Sequence, residues 1–218
     1  EHLVYASSSS VYGDRPLAGQ GFREDDPTVS PVSLYAATKK SNELMAHAYA
    51  HLFRLPCTGL RFFTVYGPWG RPDMAVYLFT KAIFEGRPIQ IYNHGQMQRD
   101  FTYIDDIVAG VVGSLDRPAT PDDNWSSAEP SPASSNAPWR VFNIGNNRSE
   151  PLLRFVEVLE TACGREAVKE FLPMQPGDVP ATFADISALN ALTGYTPSTP
   201  IDVGLPKFVT WFRRYHRV

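Results

Sequence analysis

The sequence predicts an α/β protein built on a parallel sheet, and three stretches carry that expectation. Leu3–Ala6 is a short apolar run that feeds four consecutive serines, Ser7 to Ser10. Residues Ser33–Arg54 keep an apolar period near 3.6, and Cys57–Val65 is a second apolar run closed by Tyr66-Gly67-Pro68. Strand, long helix, strand is the order of a parallel crossover, because parallel neighbours need a connection of a dozen residues or more.

The remaining elements follow in turn. Gly13 to Pro31 is rich in Gly, Pro and Asp and reads as a loop. In the helix after it the apolar positions are Leu34, Ala37, Leu44, Met45, Ala48 and Leu52. A further helix is predicted over Ala75–Glu85, stopped by Gly86-Arg87-Pro88. Short strands are expected at Ile89–Tyr92 and Arg99–Ile104, then a helix over Ile107–Leu115. Asp105-Asp106 opens that helix, as a charge pair suited to an N-terminus rather than as metal ligands. Between Arg117 and Pro138 the chain is mostly Pro, Ser, Ala, Asp and Asn, a composition that predicts a mobile insertion without a core. Val141–Ile144 reads as a strand, Leu152–Cys163 as a helix and Val203–Tyr215 as a closing helix. Phe208, Trp211, Phe212 and Tyr215 are expected in the core of that last helix.

Composition narrows the function classes. The chain has 218 residues, 43% hydrophobic and 20% charged, enough for one large domain or a domain plus a smaller lobe. A net charge of −3 gives no reason to expect nucleic acid or an anionic membrane as partner. No apolar run reaches the roughly 18 residues of a membrane span, so the cytoplasm is the default compartment. Cys57 and Cys163 lie far apart and match no metal or redox spacing. His47 and His51 sit one helical turn apart with no third ligand in view, and read as an exposed or dimer-facing stripe. The chain opens on Glu1-His2-Leu3-Val4 with a strand already under way, so it is expected to begin in the middle of a fold.

Chemistry enters at Tyr35-Ala36-Ala37-Thr38-Lys39. Residues four apart on a helix stack one above the other, which sets Lys39 beside Tyr35. A free phenol, with a pKa near 10, is a poor base at neutral pH, and a neighbouring ammonium favours the phenolate. Lowering that pKa by about 3 units takes roughly 4 kcal/mol, which needs a partly desolvated cleft. By itself the pair reads first as a surface tyrosine beside a solvated lysine. The serines, however, end the strand before this helix, and open α/β sheets bind ligands beyond the carboxyl ends of their strands.

"SSSSVYG", "YAATK", "LRFFTVYGPWGRPDMA", "QRDFTYIDDI", "VFNIGN" and "QPGDV" then follow one another along the chain. In that order they resemble the extended short-chain dehydrogenase/reductases, the NAD-dependent epimerase/dehydratase family of nucleotide-sugar enzymes. The resemblance covers nearly everything except the Pro/Ser insertion. It implies that Tyr35 is the catalytic base, that Lys39 tunes it and holds the nicotinamide ribose, and that Ser8 relays the sugar proton. Phe62 is implied as a further NAD contact. Ser9 and Ser10 occupy positions where the family's dehydratases carry Asp-Glu and its UDP-glucuronate decarboxylases carry Glu at the second. Serine is no general acid near neutral pH, so elimination and decarboxylation lose their carboxyl group, and reversible oxidation for a 4-epimerase remains. Thr64, where sugar epimerases often have Asn, together with "GPWGRPDMA" is similar to the uronic-acid epimerase subgroup. Arg71 is then implied as a fork for the substrate carboxylate. Arg99 is implied on the diphosphate, Tyr92 against the uracil and Asp178 on the nucleotide ribose. Gln175 stands where many relatives have a phosphate-binding arginine.

The family's glycine-rich NAD turn is not found: Gly19 and Gly21 are followed by Glu24, and Gly67 and Gly70 by Asp73. The expectation is therefore a partial Rossmann-type doubly wound parallel sheet. Residues 1–71 form the second half of an NAD-binding domain, interleaved with later segments, and 72–218 a smaller mixed α/β lobe for the nucleotide sugar. The implied reaction interconverts UDP-glucuronate and UDP-galacturonate on bound NAD through a 4-keto sugar, in a homodimer whose bundle includes the Tyr35 helix. Two alternatives stay open: a 4-epimerase of another UDP-sugar such as UDP-glucose, or an inactive fragment that keeps a nucleotide-sugar-binding or dimer surface.

Overall fold

The computed structural model describes residues 1–17, 20–175 and 178–218. From the amino end come β1 (Leu3–Ser8), α1 (Leu34–Phe53), β2 (Cys57–Phe62), β3 (Thr64–Tyr66) and α2 (Ala75–Glu85). Next are β4 (Ile89–Ile91), β5 (Gln98–Arg99), β6 (Phe101–Tyr103), α3 (Ile104–Leu115) and β7 (Trp139–Ile144). The chain continues through β8 (Glu150–Pro151), α4 (Leu152–Cys163), β9 (Lys169–Phe171), α5 (Ser187–Thr193) and α6 (Ile201–His216).

The α/β expectation matches the fold. β1, β2 and β7 form a parallel sheet in that order, and α1 makes the crossover between the first two. Register aligns Ser8 with Phe62 and Phe62 with Ile144, so the three carboxyl ends stand level and the serine run opens at the sheet's upper rim. Ser33 caps α1, its hydroxyl accepting from the Ala36 amide at 3.1 Å.

The apolar stripe of α1 does not face the sheet. Leu34, Leu44, Met45 and Leu52 are exposed, and the buried face is Ala36, Glu43, Ala46 and Ala50. Small side chains let the helix approach the sheet closely, and a single carboxylate is carried inward with them.

Two expected strands are each broken in two. Cys57–Val65 is cut at Phe63, whose amide donates to Ile144, while the Thr64 amide donates to Asp100. The chain there leaves the first sheet for a second, in which β3 pairs parallel with β6. Arg99–Ile104 is cut at Asp100, and α3 starts at Ile104, earlier than expected, with Asp105 and Asp106 in its first turn. β8, β9 and α5 are too short to show a period in the sequence.

The insertion is also corrected. Ala119, Ser135 and Ala137 are buried, and the last packs with Ala46, Ala50, Cys57 and Trp139. Turn bonds satisfy its polar groups: Asp122 N donates to Ser135 O at 2.8 Å, and Ser134 Oγ to Asp122 Oδ2 at 2.7 Å. His47 is half-buried, not exposed, with Nε2 2.8 Å from Ser135 Oγ and its ring edge-on to Trp139. No three potential ligands gather for a metal among the described residues.

The largest core joins α2, α4 and α6 over Phe101, Phe155, Leu159, Phe208 and Phe212. Tyr215 lies outside that core: it is exposed and stacks on Trp211. Both cysteines are buried and free, and no described helix is long and apolar enough to cross a membrane.

Candidate functional site

The four serines divide the work of the strand end. Ser7 is buried, and its hydroxyl donates to Glu43 Oε1 at 2.6 Å. Ser8 starts a single 3₁₀ turn over Ser9–Tyr12, its Oγ accepting from the Ser10 amide at 3.2 Å and the Ser10 hydroxyl at 3.0 Å. Gly13 ends the turn at φ +69°, where a Cβ would lie 2.5 Å from the Ser30 carbonyl oxygen, so glycine is required. Ser9 and Ser10 then face a cleft of about 170 Å³ that Thr64, Arg99 and Asp178 also line. Five of the eight expected substrate residues therefore meet, brought by the β1 turn, β3, β5 and the segment after Gln175.

Tyr35, two residues after the lining Ser33, is 50% exposed, with Lys39 Nζ 5.8 Å from its ring centroid. The same ammonium donates to Ala6 O at 3.0 Å, which ties the second rung of the helix to the strand. Phe62 is half-buried beside Ser8 at the end of β2. Ser8 itself is 8% exposed, with its oxygen engaged by Ser10, so the expected relay hydroxyl is held inside the turn.

Arg99 and Asp178, expected on neighbouring parts of a nucleotide, are bonded to each other at 2.6 Å. Arg99 also donates to the carbonyls of Gln98 and Pro180. Burial pulls its guanidinium pKa down and the Asp178 carboxylate opposes that. An anion entering the cleft would meet a cation already desolvated and held in place.

Three expected residues lie elsewhere. Arg71 is on an exposed loop and pairs with Asp73 at 2.6 Å. That bond chiefly raises its pKa. Tyr92 and Gln175 line a second cavity of about 680 Å³ with Gln90 and Glu170, and Tyr92 Oη donates to Gln90 at 2.8 Å. The Asp178 amide donates to Gln175 O at 3.2 Å, which ties a residue of the first cavity to one of the second. Pro176 and Gly177 of the expected "QPGDV" lie outside the described residues.

Sequence reasoning missed the polar network beneath the serines. Arg61, fully buried in β2, donates through Nε and Nη2 to Glu43 at 2.8 and 3.1 Å, and through Nη1 to Tyr12 Oη and Glu24 O, both at 3.0 Å. Tyr12 Oη in turn donates to Asn143 Oδ1 at 2.6 Å. Burial pushes the Glu24 carboxyl up; it is also the largest single influence on Glu43, but the bond and charge of Arg61, with Ser7 and Lys40, together outweigh it and hold Glu43 below the ordinary range. The signal was present: an arginine inside an apolar strand must find a buried acid.

Asp100 was also missed. Fully buried, it accepts from Asn146 N at 2.6 Å, Ala184 N at 3.0 Å and Thr102 Oγ1 at 3.0 Å. Burial nevertheless raises its pKa to about 6. The folded state then binds more protons than the unfolded one between about pH 4 and 6, so the contribution of Asp100 to stability falls as pH rises through that window. Two units correspond to at most about 3 kcal/mol. Urea unfolding at pH 4 and 7 should show the margin of wild type over Asp100→Asn shrinking at the higher pH; a margin independent of pH would refute the assignment.

Residues 1–126 match the NAD dependent epimerase/dehydratase family. Over 217 residues the chain is 54% identical to "Protein CapI" of Staphylococcus aureus, covering 100% of this chain and 64% of that protein. It is 49% identical over 218 residues to a probable UDP-glucuronate 4-epimerase of Rhizobium meliloti, covering 100% of this chain and 63% of the relative. Among solved structures, UDP-glucuronic acid 4-epimerase from Bacillus cereus, in complex with UDP-glucuronic acid and NAD, superposes with a TM-score of 0.83 at 33% identity. That match covers 99% of this chain and 62% of the other. The chain thus spans somewhat under two thirds of these three relatives. With the strand-end serines, the Tyr35–Lys39 pair and the cleft between the two sheets all accounted for, the chain belongs to the NAD dependent epimerase/dehydratase family.

Proposed function

We propose that the protein of which this chain is part is an NAD-dependent 4-epimerase of UDP-uronic acids, interconverting UDP-glucuronate and UDP-galacturonate. The observation that carries the reading is the chemistry of the cleft: serines where elimination would need carboxyl groups, and one lining carboxylate among the described residues, Asp178, neutralised by Arg99, with a phenol paired to an ammonium on the helix that Ser33 of the lining caps. A site of this kind can move a hydroxyl proton but has no free acid with which to expel water or promote loss of CO₂.

The donor set fits a dinucleotide ribose. The phenol of Tyr35 and the ammonium of Lys39 lie at the carboxyl end of β1, where both can reach a vicinal diol. A bound nicotinamide supplies reversible hydride acceptance. Tyr35 takes the C4 hydroxyl proton, and Lys39 stabilises the phenolate. Ser10, held by Ser8, orients the reacting oxygen, and the same Tyr35 returns the proton when the 4-keto sugar presents its other face. Arg99 and Asp178 engage the diphosphate and the ribose, with Tyr92 and Gln175 toward the base. Arg71 leaves Asp73 to take the C6 carboxylate, exchanging one bidentate partner for another.

The exposed Arg71–Asp73 pair also favours a second reading, a 4-epimerase of neutral UDP-sugars in which Arg71 never meets substrate. Arg71→Ala separates the two. On the uronate reading kcat/KM for UDP-glucuronate falls about 30- to 150-fold while UDP-glucose turnover is unchanged, the value of a charge-assisted pair of about 2–3 kcal/mol. Equal losses on both sugars, or none, would remove the uronate assignment and leave the 4-epimerase.

A further inference from the structure

Tyr35, Lys39 and Glu43 are spaced four apart and so form one stripe along α1. The lower two rungs of the stripe are bonded to consecutive residues of β1: Lys39 Nζ donates to Ala6 O at 3.0 Å, and Glu43 Oε1 accepts from Ser7 Oγ at 2.6 Å. Glu43 is a costly residue at that place. Its side chain is 1% exposed in a helix face otherwise made of alanines, and a buried carboxylate persists only when its charge is matched. Arg61 supplies the match from β2, with Lys40 as a second cation 3.1 Å away on α1. Arg61 is fixed in turn from Tyr12 and Glu24, on the far side of the serine turn.

Resting on the function proposed above, we propose that Glu43 is a positioning residue for the reaction, a third rung below Tyr35 and Lys39 that clamps Ser7 and so sets the serine turn against the Tyr35 helix. Two consequences follow from the bonding. The first is geometric. Ser7 is covalently next to Ser8, which caps the turn carrying Ser9 and Ser10 into the cleft. A clamp at Ser7 therefore fixes the origin of every hydroxyl in the run, while the Lys39 bond fixes the strand one residue earlier. The second is electrostatic. Glu43 is one turn from Lys39, within reach of an i, i+4 ion pair that would withdraw the ammonium from Tyr35. Arg61 and Lys40 occupy both carboxylate oxygens, which leaves the Lys39 ammonium on a neutral carbonyl and available to the phenol.

Ser7→Ala is the cleanest cut, because it removes the clamp and leaves the Glu43–Arg61 pair intact. In the whole natural protein it should lower kcat about tenfold while KM for the UDP-sugar stays within about twofold, the split expected when orientation is lost and substrate binding is not. Glu43→Gln keeps an oxygen for Ser7 and should recover most of the kcat lost in Glu43→Leu, both in the Arg61→Met background, where no buried cation is left unpaired. Adding Ser7→Ala to Arg61→Met/Glu43→Leu should cost nothing further, since the bond is already gone. Hydrogen exchange over Ser8–Tyr12 gives a readout free of turnover and should quicken in Ser7→Ala. Wild-type kcat together with unchanged exchange in Ser7→Ala would overturn the clamp. Faster exchange in a protein whose wild type turns over no UDP-sugar would keep the clamp and overturn the proposed reaction instead.

Discussion

Replacing Tyr35 with phenylalanine should lower the interconversion of UDP-uronates by about 10³-fold, with the fold undisturbed. On the proposed function the phenol both accepts and returns the proton, and positioned acid–base groups contribute roughly 10²–10⁴ to a rate. The side chain is 50% exposed, so losing its oxygen leaves no buried partner unsatisfied. The variant should melt with wild type and bind UDP equally well, because Arg99 and Asp178 are untouched. The test is the rate of UDP-galacturonate formation from UDP-glucuronate at saturating substrate, beside a thermal melt. A variant that turns over within a factor of about three of wild type would exclude Tyr35 as the base, whatever the sugar.

Arg61→Met should have the opposite profile, a loss of stability first and of activity only as a consequence. Arg61 is 0% exposed and bonded to Glu43, Tyr12 and Glu24. Removing one member of a buried pair leaves an uncompensated charge and costs about 3–5 kcal/mol. That is a large part of the roughly 5–15 kcal/mol that holds a domain together. Arg61→Lys should fare little better, since an ammonium cannot span both Glu43 oxygens. The double variant Arg61→Met/Glu43→Leu should regain more than half the loss, because the cost lies in the orphaned carboxylate. The pH dependence carries a definite sign. Arg61 holds the folded Glu43 below its ordinary range, so the pair stabilises above that range and the contribution disappears as pH falls through it. Urea midpoints for the two proteins should accordingly converge in acid. A deficit that stays constant with pH would mean that Glu43 is not the residue left orphaned.

What the sequence determined by itself is what local physics determines. The parallel crossover was readable because α1 is long and lies between two apolar runs, and periodicity needs only length to show itself. The Tyr35–Lys39 pair was readable because helical spacing alone puts Lys39 beside Tyr35, and the structure has its ammonium 5.8 Å from the ring. The serines at the strand end were readable because a strand's carboxyl end in such a sheet is where ligands bind. Only the tertiary structure decided the rest. Phe63 and Asp100 break two apparently continuous strands because each residue bonds across to a segment far along the chain, and no window of sequence contains that partner. The exposed apolar stripe of α1 reads as its buried face until the sheet's approach selects alanines and Glu43 instead. Arg71 and Arg99 both look like ligand-binding arginines in the resemblance, yet Arg99 is desolvated in the cleft against Asp178 and Arg71 is in solvent with Asp73. Burial separates them, and burial is a property of everything that packs around a residue rather than of the residues beside it in the chain.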